Sequence, residues 1–245
     1  MINAIKIIAV KPINPLASKV FCLVFSAFVL AGCSALPDKP LRPVLYDFGP
    51  GTVAPQPATR QAPLPAMALE DLTTAGSALD NTALHYRLAY TNAQELRPYA
   101  IARWTAPPAQ LVGQRLREKL SERRPVFGAR DGLALARPLE PGARALPSDG
   151  KSDPLPLRLR LELEEFSHLF TAPDTSVGVI RLRATLIDIS RGGERLVGQR
   201  SIVVQRPAAS SDAAGGVRAL TAATDAAIAE LDQWLQTADA TSSAR

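Results

Sequence analysis

Residues 155–164 read Leu-Pro-Leu-Arg-Leu-Arg-Leu-Glu-Leu-Glu, with leucine at every odd position and charge at nearly every even one. A period of two puts all the leucines on one face of an extended strand, and the other face faces water. No helix accommodates that pattern, so the chain must contain a sheet with one buried side. Ile180, Leu182, Ala184 and Leu186 repeat it. Between the two runs, residues 171–176 (TAPDTS) have turn composition. Pairing Leu163 with Leu182 and Leu161 with Ala184 sets Glu162 opposite Arg183 and Glu164 opposite Arg181. One register thus serves both core and charge. A third strand, 196–205, follows a three-residue loop, Arg191 to Gly193.

Helical periodicity appears twice. Pro107-Pro108 opens a helix to about Arg124, carrying Val112, Leu116 and Leu120. A second helix, from about Asp212 to Gln236, has the stripe Val217, Leu220, Thr224, Ile228, Leu231 and Leu235, with Ser211 or Asp212 as N-cap. Short strands are expected at 44–48, 65–72, 82–89 and within 126–136. The segment 92–104 is ambiguous, because Pro98 opposes one continuous helix. Residues 137–156 read as a long surface loop and 238–245 as a flexible tail. The expected fold is α+β: a mostly antiparallel sheet with two main helices packed on one face, an α/β sandwich.

The N-terminal third has a different logic. Lys6, Lys11 and Lys19 precede an apolar run, Val20–Leu30, which ends in Leu30-Ala31-Gly32-Cys33. This is the layout of a secretory signal, and a cysteine directly after the small residues makes it a bacterial lipoprotein signal cut between Gly32 and Cys33. The Cys33 thiolate would carry the diacylglyceryl thioether. Eleven apolar residues reach only about 17 Å, short of the ~30 Å of a bilayer core. Most of the formal net charge of +5 leaves with those three lysines, so the basic balance implies no nucleic-acid partner. The chain's two cysteines are Cys22 and Cys33. Neither is left to form a disulfide in the mature domain. Eight prolines between residues 34 and 65 favour extended backbone, and at ~3.1 Å per residue 34–43 makes a tether of roughly 30 Å. The expected division is 1–32 signal, 33–43 lipidated Cys33 and tether, 44–237 a single domain, and 238–245 tail.

No GxSxG, GxGxxG, P-loop, HExxH or CxxC motif occurs, so no catalytic residue, metal site or cofactor is expected. His85 and His168 lie far apart in expected strands and read as packing residues. Tyr99, Arg103 and Trp104 are candidates for a partner-binding surface, with burial of Trp104 under the following helix as the competing reading.

Several blocks together resemble a known family. They are YDFGP (46–50), YRLAYTNAQELRPYAIARWTAPPAQLVGQRLREKL (86–120), LRLELEEFSHLFTAPDTSVGVIRLRATLID (157–188) and AGGVRALTAATDAAIAEL (214–231). Behind a lipidated cysteine they look like the ABC-type transport auxiliary lipoproteins, the PqiC-like group. The resemblance implies a periplasm-facing outer-membrane lipoprotein. It would serve as a non-catalytic docking or adaptor subunit beside an MCE-domain protein of an ABC lipid transporter. Membrane lipids would be met through acylated Cys33, and homo-oligomers stay open. Other readings are a lipid-binding shuttle and a structural lipoprotein for outer-membrane assembly.

Overall fold

The computed structural model describes residues 42–51, 64–128, 156–190 and 193–243. The signal, Cys33, most of the tether and the 137–155 part of the expected loop lie outside the described residues, as does Leu155. The described residues from Pro43 onward form one compact unit.

The alternating leucines build β7, Leu157–Ala172, which turns at Pro173-Asp174 into β8, Thr175–Ser190. Both strands run on into the residues expected to form the turn. Leu161 pairs with Ala184, Leu163 with Leu182 and Glu162 with Arg183, as the pattern requires. Past Leu163 the register shifts, so Glu165 rather than Glu164 faces Arg181. This β-bulge inserts one residue and returns Phe166, His168 and Phe170 to the core side. On the outer face Glu164 then meets Arg183, and Glu165 meets Arg87 at 3.0 Å. β9, Gly193–Pro207, pairs with β8. Ser190 pairs directly with Gly193, whose φ of 115° suits glycine. The hairpin is therefore tighter than a three-residue loop. A second bulge, at Val197, recovers the expected facing, with Leu186 opposite Gly198 and Leu182 opposite Ile202.

The other edge of β7 is tiled by three short strands in sequence order. β2 (Met67–Leu69) pairs with Leu157–Leu159, β3 (Thr73–Thr74) with Glu162–Leu163, and β4 (Ala83–Leu88) through Tyr86–Leu88 with His168–Phe170. All three run parallel to β7. β6 (Val126–Gly128) lies parallel to β2; β5 (Ala93–Trp104) is antiparallel to β4, with β1 (Val44–Tyr46) parallel to β5. Among the described residues five of the eight strand pairings are parallel. The nine-stranded sheet is thus mixed, and the expectation of a mostly antiparallel sheet is wrong. The alternation reported the long hairpin correctly, but strands of two or three residues carry no period from which direction can be read.

The ambiguous stretch resolves into a single helical turn, α1 (Ala89–Asn92), followed by β5, with Pro98 where β5 departs from regular pairing. α2 spans Pro108–Ser121 and α3 Ala213–Ser243. Leu111, Val112, Leu116 and Leu120 of α2, and Leu220, Ala227, Leu231 and Leu235 of α3, join Leu159, Leu161, Leu163, Ile180, Leu182 and Leu186 in one buried cluster. α3 does not fray at 238. It continues to Ser243, and Asp239 forms a buried ion pair with Arg124 at 2.7 Å. Among the described residues no helix is long and apolar enough to cross a membrane.

Candidate functional site

Of the sequence candidates, Gly32 and Cys33 lie outside the described residues. Tyr99, Arg103 and Trp104 share β5 but diverge in environment. Five residue steps on β5, Pro98 to Arg103, span what two steps cover on β4, His85 to Ala83. That irregularity rotates Tyr99 inward over β7. Trp104 is only 1% exposed and its ring packs against Phe48 and Phe166, each at 5.6 Å between centroids. It belongs to the core and offers nothing to a partner at the surface. Arg103 is half-buried and donates to the carbonyls of Tyr99 and Ala102, bracing the irregular stretch.

Tyr99 leads to residues that sequence reasoning set aside. Hydrogen bonds join Tyr99 Oη to His168 Nδ1 at 2.9 Å and His168 Nε2 to Ser176 Oγ at 2.7 Å. Tyr86 and Phe170 close the ring cluster, with centroids 4.7 Å from Tyr99 and 4.4 Å from His168 respectively. His168 is fully buried and Ser176 nearly so. Burial drives the imidazole pKa down to about 4, against a small opposing pull from Asp212. The ring is neutral, so it donates at one nitrogen and accepts at the other, and the chain of bonds runs in a single direction. Burial also raises the Tyr99 hydroxyl well above its ordinary value.

Two glycines explain how α3 reaches this cluster. A Cβ at Gly216 would lie 2.4 Å from His168 Nδ1, and one at Gly178, opposite His168 on β8, would lie 2.5 Å from the α3 backbone at Ala219 and Leu220. Asp212 caps the helix, its carboxylate accepting from Gly215 N–H at 2.7 Å, which holds its pKa below the ordinary range. Tyr99, His168, Ser176 and the glycine pair therefore pin α3 to the sheet. With Ser176 and His168 closed off, no solvent-borne group reaches either side chain. The signal that could have found His168 is its place in the Phe166-His168-Phe170 alternation, hidden by the bulge before it.

His85 lies on the opposite face of β4, with burial first and Arg87 next in lowering its pKa. Its Nδ1 and the Oγ of Ser167 are buried without a hydrogen-bond partner. Among the described residues no group of three or more His, Cys, Asp or Glu is arranged to hold a metal ion. Between α2 and α3 an open groove of about 490 Å³ is lined by Arg115, Glu118, Lys119, Glu122 and Asp225. A second, of about 460 Å³, lies between α2 and the β2–β3 stretch. Within the first, Arg115 grips Asp225 at 2.8 Å and Lys119 holds Glu122 at 2.6 Å. Both cations of the groove are thus paired with carboxylates.

These elements define an α/β fold in which a long hairpin carries tiled parallel strands on one edge and two helices on one face. Solved proteins share it. A protein from Xanthomonas campestris described by family model DUF330 superposes with a TM-score of 0.60 at 18% identity, over 82% of this chain and 100% of that one. An uncharacterised protein matches with a TM-score of 0.50 at 12% identity, over 80% of this chain and 99% of that one. At such identities the likeness is one of fold. No family model matches the sequence, and no curated protein matches it.

Proposed function

We propose that this chain is a lipid-anchored cell-envelope protein acting as a non-catalytic docking or adaptor subunit of an ABC/MCE-type lipid transport system. The observation that carries the reading is Cys33, placed directly after a short apolar run and small residues. The proline-rich tether supports it. From Cys33 it leads to Val44, where the first strand begins, so the folded domain starts where the spacer ends. Acyl chains stabilise membrane attachment by about 0.8 kcal/mol per buried CH₂, and more than one chain makes it stable. In this reading the protein sits on the periplasmic side of the outer membrane, as Ser34 after Cys33 favours. The domain then stands some tens of ångströms from the headgroups and presents its surface to an MCE-domain partner. The groove between α2 and α3, open and lined mostly by charged side chains, favours the adaptor over a lipid shuttle, because an acyl chain needs an apolar lining.

The test has two arms. Labelled palmitate should enter the wild-type protein and not Cys33→Ser, which should leave the membrane fraction; a variant that stays membrane-bound overturns the anchor. Affinity purification of the wild type from its own cells should return an MCE-domain protein, and crosslinking that returns only outer-membrane barrels overturns the adaptor role.

A further inference from the structure

Among the described residues β9 pairs only with β8, so its other edge presents unpaired backbone N–H and C=O groups. Proteins usually shorten such an edge or interrupt it with proline. β9 instead runs fifteen residues, with its one proline at the last position. It also carries three exposed apolar side chains: Leu196 is 62% exposed, Val197 37% and Val203 49%. Leu196 lies opposite Ile187 and Val203 opposite Arg181, both on the face away from the helices.

Val197 and Val203 are placed symmetrically about Arg200. We propose that β9 pairs antiparallel with β9 of a second copy of this chain, about a two-fold axis at Arg200, so that one sheet continues through two molecules. That operation sets Val203 opposite the second copy's Val197 with Leu196 beside it, twice per dimer, covering every exposed apolar side chain of the strand. Gln199 falls opposite Ser201. The two Arg200 side chains meet near the axis, but each is held at 2.7 Å by Glu230 of its own α3, so the axis carries two ion pairs and no bare cations. A foreign strand added to this edge would leave that self-complementarity unused. The proposal is independent of the anchor and adaptor reading.

The test uses the full chain in detergent with Cys22→Ser and Cys33→Ser, so that an added cysteine is the only thiol. Directly opposed Cα atoms in an antiparallel pair lie about 4.5–5.5 Å apart, inside the ~4.4–6.8 Å span of a disulfide. Under mild oxidation Arg200→Cys should become a covalent dimer, while Ser121→Cys, on the exposed end of α2, should stay monomeric. Val203→Lys, a change at an exposed position, should weaken the dimer at least ~tenfold in sedimentation equilibrium, about 1.4 kcal/mol, without changing the circular dichroism spectrum. The proposal is overturned if the unsubstituted chain sediments as a monomer, if Arg200→Cys crosslinks no faster than the control, or if Val203→Lys dimerises like the parent. It is equally overturned if β9 is protected only in a complex with a different protein.

Discussion

His168 couples the fold to pH. Its folded-state pKa of about 4 lies below the ordinary 6.5. As pH falls, the unfolded chain takes up this proton first, and the folded protein resists until about pH 4. The stabilisation that the neutral ring contributes is complete above pH 6.5 and drains away between 6.5 and 4, by up to ~3 kcal/mol. Denaturant unfolding at pH 7, 5.5 and 4 should show that decline, and His168→Gln should flatten it; an unchanged slope would contradict the assignment. Gly178 tests the same contact by sterics. Gly178→Ala puts a methyl 2.5 Å from the α3 backbone and should cost roughly 1–3 kcal/mol, the usual range for overpacking. Trp104→Ala should cost about 3–5 kcal/mol in the same assay, as for other large buried aromatics. A loss below ~1 kcal/mol would mean that Trp104 is not the packed side chain described.

The elements show what an amino-acid pattern reveals and what it hides. β7 and β8 were readable because seven or more consecutive residues obey one period, and α2 and α3 because their apolar stripes repeat over several turns. The bulge at Glu164 was not, since Glu164 and Glu165 are alike and either satisfies a charged outer face. β5 was obscured by Pro98, which sits where regular pairing with β4 ends and so breaks no continuous ladder. The partner surface was misjudged at Trp104 because a tryptophan beside an arginine looks the same in sequence whether it points in or out. The end of α3 was hidden for a related reason. Residues 238–243 are small and polar, yet Asp239 holds the buried guanidinium of Arg124, two of whose nitrogens find no other partner. Asp239→Ala, or a chain ending at Ala238, should lose about 3–5 kcal/mol, because a buried cation is left uncompensated. Arg124→Met combined with Asp239→Leu should recover most of that loss; thermal melting of the three variants decides it.

At the scale of the molecule, the tiled edge of β7 sets the order in which the protein assembles. β7, β8, β9 and α3 are neighbours in sequence and close through short loops, whereas β2, β3 and β4 must wait for a strand about 80–90 residues further on. Local contacts form before distant ones, because loop closure is entropically costly. Pulse-labelled hydrogen exchange should therefore protect residues 157–207 first and residues 67–74 last; simultaneous protection would refute the order. A chain that emerges N-terminus first thus carries three strands whose β7-facing edges stay open, although β4 already has β5 beside it and β2 has β6. Until the strand that begins at residue 157 arrives, the N-terminal strands cannot close into one sheet.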